Sequence, residues 1–324
     1  VIHLCTGTTS GRSCAQTTWV EVNIVNKIGL HFGYLRGTPY ESDVLSAMEA
    51  VRKTGCELLE IPVSYIFPMD AAKRREVAQC AKDLDLALTM TGSMNGETDI
   101  ASDDAAIREA GVEFAKRTLQ ACYDIGATAW GGVNYQAWLG RPQYDLTPDA
   151  KERIRQQSLE AMRKILPTAE DLGVDYCMEL VNRFEGFLLN TAEEGLRYVL
   201  DADSPCAMVL LDTYHMNIEE DSILDAMDLV QNEGKLGHFH VGESNRRIPG
   251  TGRTHMDWDG IFANLRAHGY MGHILMEPFV RMDLPSSKNT CTWRNLTKNE
   301  SVEEYMADVT TGYNFIRAGL MKQK

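Results

Sequence analysis

Two glutamates, an aspartate and a histidine occupy equivalent places in four successive segments: Glu179 in YCMELVNRFEG, Asp212 in MVLLDTYHMN, His240 in LGHFHVGESNRR and Glu277 in HILMEPFV. Each follows a short apolar run, so each marks a point where a buried strand gives way to a loop. Three carboxylates and an imidazole gathered at one end of a parallel barrel make a hard-donor site for a divalent cation, Mn²⁺, Mg²⁺ or Co²⁺. Carboxylate is then left over for acid/base work. One such strand-end residue alone reads equally well as a helix cap or an ion-pair partner, but four on consecutive segments do not.

Residues beside these four extend the site. His238 and His240 are two apart and face the same side of a strand; His240, nearer the end, is the ligand candidate, and His238 reads as a hydrogen-bonded core histidine. His215, three residues after Asp212, is placed to reach a substrate hydroxyl. Asn182, Arg183 and Glu185 follow Glu179, and Arg246 and Arg247 follow His240, where a cation can meet hydroxyl and carbonyl oxygens. Trp138 and Phe67 are candidates for an apolar wall on which a sugar stacks. The acidic run Glu219-Glu220-Asp221 reads as the start of a helix, where negative charge suits the dipole.

The elements that must position these groups form a repeat. Strand-like runs IGLHFGY (28–34), ELLEIPV (57–63), LALTMTG (86–92), ATAWGGV (127–133), VDYCMEL (174–180), AMVLLDT (207–213), KLGHFHV (235–241) and HILMEPF (273–279) alternate with amphipathic helical stretches. Several helical stretches finish at a glycine, namely Gly55, Gly126, Gly173 and Gly269, as a left-handed cap requires. Eight strand–helix units predict an α/β protein with a single (β/α)8 barrel over residues 27–324, its active site at the C-terminal strand ends. The last helix is expected over 302–319. Residues 281–300, too long and polar for a simple connection, are expected over the catalytic mouth or at an oligomer contact. Residues 1–26, rich in Thr and Ser, read as a poorly ordered extension.

Bulk properties narrow the partners. A formal charge of -14 over 324 residues opposes the phosphate neutralisation that dominates nucleic-acid binding. No apolar run approaches the roughly 20 residues that span a bilayer. Eight scattered cysteines without a C-x-x-C pair read as reduced thiols of a cytoplasmic protein rather than metal ligands.

The segments MELVNRFEGFLLNTAEEG, LLDTYHMNIEEDSI, GHFHVGESNRRIPGTGR and MEPFVRM, with ASDDAAIREAG and TWRNLT (292–297), closely resemble the ketose 3-epimerases, the D-tagatose 3-epimerase and D-psicose (D-allulose) 3-epimerase family of xylose-isomerase-like TIM barrels. The resemblance implies Glu179, Asp212, His240 and Glu277 as ligands of one Mn²⁺ (or Co²⁺ or Mg²⁺) per subunit, the two glutamates doubling as the acid/base pair. It implies Glu185, His215 and Arg246 as substrate-binding residues, and a homodimer or homotetramer acting on a small ketose. The activity implied is C3 epimerisation through an enediolate. Two departures are visible: His31 in a region usually aromatic, without the following tryptophan-rich segment, and extra residues around 254–257. Both are expected to shape the pocket. An aldose–ketose isomerase or a polyol dehydratase on the same barrel remains the alternative. An endonuclease-like phosphodiesterase is disfavoured by the charge and by only eight histidines, and a non-catalytic sugar-binding barrel by the second glutamate.

Overall fold

The computed structural model describes residues 2–5, 19–22, 26–142, 144–298 and 301–322. Its body is a closed barrel of eight parallel strands: β1 (Ile28–His31), β2 (Leu58–Pro62), β3 (Ala87–Thr91), β4 (Ala129–Gly131), β5 (Asp175–Glu179), β6 (Ala207–Asp212), β7 (Leu236–Val241) and β8 (His273–Met276). Neighbours in the barrel are neighbours in the chain, and β8 closes it against β1. The long helices are α1 (Val44–Lys53), α2 (Ala71–Asp83), α3 (Ala105–Ile125), α4 (Pro148–Leu172), α5 (Ala192–Ala202), α6 (Ile223–Asn232), α7 (Trp258–Ala267) and α8 (Val302–Met321). The expected (β/α)8 architecture is therefore the observed one.

Local chemistry sets these boundaries. Side chains of Asp43, Thr147, Thr191, Ser222 and Ser301 each accept a backbone N–H of the helix they precede, satisfying donors that have no partner within the helix. Gly126 and Gly173 end α3 and α4 in the left-handed conformation. Strand 1 is shorter than its apolar run, because Phe32–Leu35 winds into a 3-10 turn.

Alternation along the strands divides two kinds of interior. Leu30, Leu59, Ile61, Leu88, Met90, Trp130, Tyr176, Met178, Val209, Leu211, Phe239 and Ile274 join the main hydrophobic core with the helices. The alternate positions face the barrel lumen, where a small cluster of Ala129, Cys177 and Leu210 is separate from that core. Positions of the same parity are His31, Glu60, Thr89, Glu179, Asp212, His240 and Glu277. In β7 the parity is reset: the register shifts by one between Val209 and Leu210, so that Leu210 pairs with His238 and Asp212 with His240. Gly237 is the residue passed over, and it permits this because a Cβ there would lie 2.5 Å from Met208 Cβ and 2.9 Å from Cys177 Sγ.

Outside the barrel, Ile2–Cys5 pairs antiparallel with Trp19–Val22; the expectation for the remainder of residues 1–25 lies outside the described residues. Asn26 is anchored, its amide donating to the carbonyls of Tyr270 and Gly272. Among the described residues no helix is long and apolar enough to cross a membrane.

Candidate active site

Glu179, Asp212 and His240 end or nearly end β5, β6 and β7, and Glu277 follows β8 directly. Lumen-facing parity brings one donor atom of each within 4.8 Å of all the others, and all four side chains are buried. A cavity of about 640 Å³ opens above them, in the range of small-molecule sites. Its walls include His31, Trp138, Glu179, Glu185, Arg246 and Glu277, and its rim includes Pro285, Ser286, Asn289 and Thr290. Part of the polar segment 281–300 thus folds over the mouth, one of its two expected placements.

Arg246 reaches this floor from a tight turn in which its own backbone is left-handed, φ 65°. That conformation strains a residue with a Cβ, by roughly 1–2 kcal/mol. Hydrogen bonds from Arg246 N to Glu243 O (2.8 Å) and from Phe279 N to Arg246 O (3.0 Å) hold it. The guanidinium packs 4.0 Å from the Tyr214 ring centroid and 5.1 Å from that of Phe279. Its Nη1 donates to Asp212 Oδ2 at 2.7 Å and to Glu277 Oε2 at 2.9 Å.

His215 lies beside it. Its Nδ1 accepts from the backbone N–H of Asn182 at 3.1 Å, so the neutral ring carries its proton on Nε2. That Nε2 faces Glu179 Oε1 at 3.4 Å and Arg246 Nη2 at 3.0 Å. The Glu179 carboxylate is the acceptor this Nε2–H faces, and the Arg246 guanidinium closes against the same ring edge. Glu185 accepts from Trp138 Nε1 at 3.0 Å and from Asn182 Nδ2 at 3.2 Å, which fixes the Trp138 ring along the cavity wall.

The two glutamates are driven apart electrostatically. Burial raises the Glu179 carboxyl, and the charge of Glu277 adds to this against opposing pulls from His215 and His240. Burial alone would raise Glu277 as well, but Arg246 and His240, with a smaller pull from His31, hold it well below the usual carboxylate range. His31 Nε2 stands 3.9 Å from Glu277 Oε1.

The donor set fits a divalent cation. His240 is fully buried, yet neither ring nitrogen has a hydrogen-bond partner. Nδ1 faces Glu277 Oε2 at 3.6 Å and Asp212 Oδ2 at 3.9 Å, too far for hydrogen bonds but within the span of two donors sharing one ion at about 2.1 Å each. Three buried carboxylates also outnumber the single guanidinium among them.

Three expectations are corrected. Phe67 does not line the cavity: after β2 the chain turns through the short helix Val63–Ile66, which carries Phe67 outward against Phe114, ring centroids 5.8 Å apart, while Val63 and Ser64 take the wall. Residues 254–257 do not line the cavity either; Asp257 caps α7 and Met256 is buried. Of the two departures, only His31 shapes the pocket. Glu219 ends a short helix, Thr213–Glu219, rather than starting one, and its carboxylate holds Arg183 at 2.8 Å. A further group was missed: Glu60, fully buried in mid-β2, contacts His238 at 3.1 Å and His240 at 3.4 Å. The signal was present as a second carboxylate three residues after Glu57, in the middle of the run ELLEIPV and with the parity of the lumen.

Residues 48–298 match the family model of xylose isomerase-like TIM barrels. The chain is 36% identical over 283 residues to the D-psicose 3-epimerase of Ruminiclostridium cellulolyticum, covering 87% of this chain and 93% of that relative. It is 34% identical over 275 residues to the L-ribulose 3-epimerase of Mesorhizobium japonicum, covering 83% and 88%. Among solved structures, that of a D-psicose 3-epimerase with D-tagatose from Clostridium cellulolyticum superposes with a TM-score of 0.84 at 33% identity, over 91% of this chain and 99% of that one. Barrel, lumen chemistry and similarity over nearly the whole barrel agree: this chain belongs to the xylose isomerase-like TIM barrels and, within them, to the ketose 3-epimerases, which are isomerases.

Proposed function

We propose that this chain inverts C3 of free ketoses, of the D-fructose/D-psicose, D-tagatose/D-sorbose and L-ribulose/L-xylulose class, by proton exchange between two glutamates beside one divalent cation. The observation that carries this reading is the meeting of Glu179 and Glu277 at the floor of one cavity, from strands three apart in a ring of eight. Glu179, Asp212, His240 and Glu277 hold the cation, Mn²⁺ with Co²⁺ or Mg²⁺ as substitutes. When bound, it supplies Lewis-acid polarisation of substrate oxygens, worth several kcal/mol.

One glutamate takes the C3 proton, and the electron pair left on C3 moves into the C2 carbonyl to give an enediolate. The other returns a proton to C3 from the opposite face, and the pair exchange roles according to which epimer is bound. His215, Glu185 and Arg246 bind the O1–O3 end, His215 and Arg246 meeting 3.0 Å apart beside Glu179 at the cavity floor. Trp138 forms a wall against the carbon chain.

Incubation of the Mn²⁺-loaded protein with D-fructose, D-psicose, D-tagatose and L-ribulose in deuterated water tests the reading. Deuterium at C3 of a product epimer is expected. An aldose or a dehydrated ketone as the main product would replace epimerisation by isomerase or dehydratase chemistry.

A further inference from the structure

We infer that Glu60, which takes no part in the proton transfer proposed above, is the positioning residue that makes His240 a metal ligand: its carboxylate faces Nε2 of the ring and leaves the Nδ1 lone pair for the cation. The inference rests on the cation site of that proposal and adds a residue to it.

Glu60 is fully buried on β2, among Leu58, Leu59 and Ile61. Its Oε1 accepts from Thr89 Oγ1 at 3.3 Å and meets His238 Nε2 at 3.1 Å. The backbone N–H of Phe239 donates to His238 Nδ1 at 3.0 Å. A backbone N–H can only donate, so the His238 proton is on Nε2 and is given to Glu60. One carboxylate oxygen is thereby used, its orientation fixed by the adjacent β3 and by β7 from across the lumen.

The other oxygen, Oε2, has no hydrogen-bond partner, although no solvent reaches it. Its neighbour is His240 Nε2 at 3.4 Å, equally buried and equally without a partner. A carboxylate oxygen beside one imidazole nitrogen favours the proton there, which puts the lone pair on the other nitrogen. That other nitrogen, Nδ1, is the one facing Asp212 and Glu277. A lone pair directed at two carboxylate oxygens is unfavourable unless a cation lies among them. Were Glu60 present only to satisfy His238, one oxygen would suffice and the orphaned Oε2 would have no explanation.

The replacement Glu60→Gln separates the two roles. A glutamine oxygen still accepts from His238 and Thr89, while its NH₂ faces His240 Nε2 and favours the opposite tautomer, with Nδ1 protonated. Protein stripped with chelator is titrated with Mn²⁺ alone, and free Mn²⁺ is followed by electron paramagnetic resonance with no sugar present. Glu60→Gln is expected to raise the Mn²⁺ dissociation constant about 10- to 100-fold. The unfolding midpoint of the stripped protein should stay within a few degrees of wild type, and KM for the ketose at saturating Mn²⁺ should change less than about twofold. Glu60→Asp, which keeps the charge but withdraws it from both rings, is expected to weaken Mn²⁺ about tenfold, and decides the matter if the glutamine variant does not fold. Wild-type Mn²⁺ affinity in the folded glutamine variant, or in the aspartate variant otherwise, overturns the role of Glu60 and leaves the proposed function standing. A wild-type protein that takes up no Mn²⁺ overturns both.

Discussion

Glu179 and Glu277 carry the same functional group into the same cavity, yet their surroundings treat them oppositely. Arg246 and His240 hold Glu277 ionised, while burial and the neighbouring charge of Glu277 push the Glu179 carboxyl up. Replacing either by glutamine keeps shape and a ligating oxygen but removes the exchangeable proton. Glu179→Gln and Glu277→Gln are each expected to cut kcat by about 10³-fold, the middle of the range for general acid–base catalysis, with ketose binding retained. Rates read alongside bound-metal content check this; activity near wild type in both variants refutes the two-base assignment. These residues were legible in the sequence because each polar side chain interrupts an apolar run at its end. Glu60 was not, because a carboxylate in mid-strand reads as an exposed position until the closed barrel shows that both faces of the strand are buried.

Strand parity does for the barrel what capping does for the helices. The irregularity in β7 keeps His238 and His240 facing the lumen opposite Leu210 and Asp212, and Gly237 is the residue that makes room for it. A methyl group at Gly237 would contact Met208 Cβ at 2.5 Å and Cys177 Sγ at 2.9 Å, and neither of these is the free end of a flexible chain. Gly237→Ala is therefore expected to destabilise the fold by about 1–3 kcal/mol, as overpacking does. Urea unfolding with an unchanged m-value measures it, and a variant as stable as wild type would show that β7 relaxes freely. The number, order and approximate bounds of the strands and helices followed from hydrophobic periodicity. The register shift did not, since it depends on which residue of β6 lies opposite β7. Phe67 was misplaced for a related reason: the turn after β2 rotates the chain, and apolar content alone does not tell a cavity wall from a packing face.

Taken together, the chain encloses several like charges at the top of its barrel, and this links stability to cation binding. A ligand held by the folded state alone stabilises it, by about 2.7 kcal/mol at a concentration one hundred times its dissociation constant. Mn²⁺ at that excess is expected to raise the unfolding midpoint of chelator-stripped protein by several degrees, with Na⁺ at equal ionic strength ineffective. A midpoint that moves equally with both ions would reduce the effect to general screening. The amino-acid sequence by itself determined the repeat of eight strand–helix units, the strand-end chemistry and the family resemblance, because periodicity and residue type are local properties. Only the tertiary structure decided that Glu60 lies behind His240, that Arg246 bridges Asp212 and Glu277, and that His31 rather than residues 254–257 shapes the cavity. Those relations join residues dozens to more than two hundred positions apart, and they exist only once the barrel has closed and the register of its strands is set.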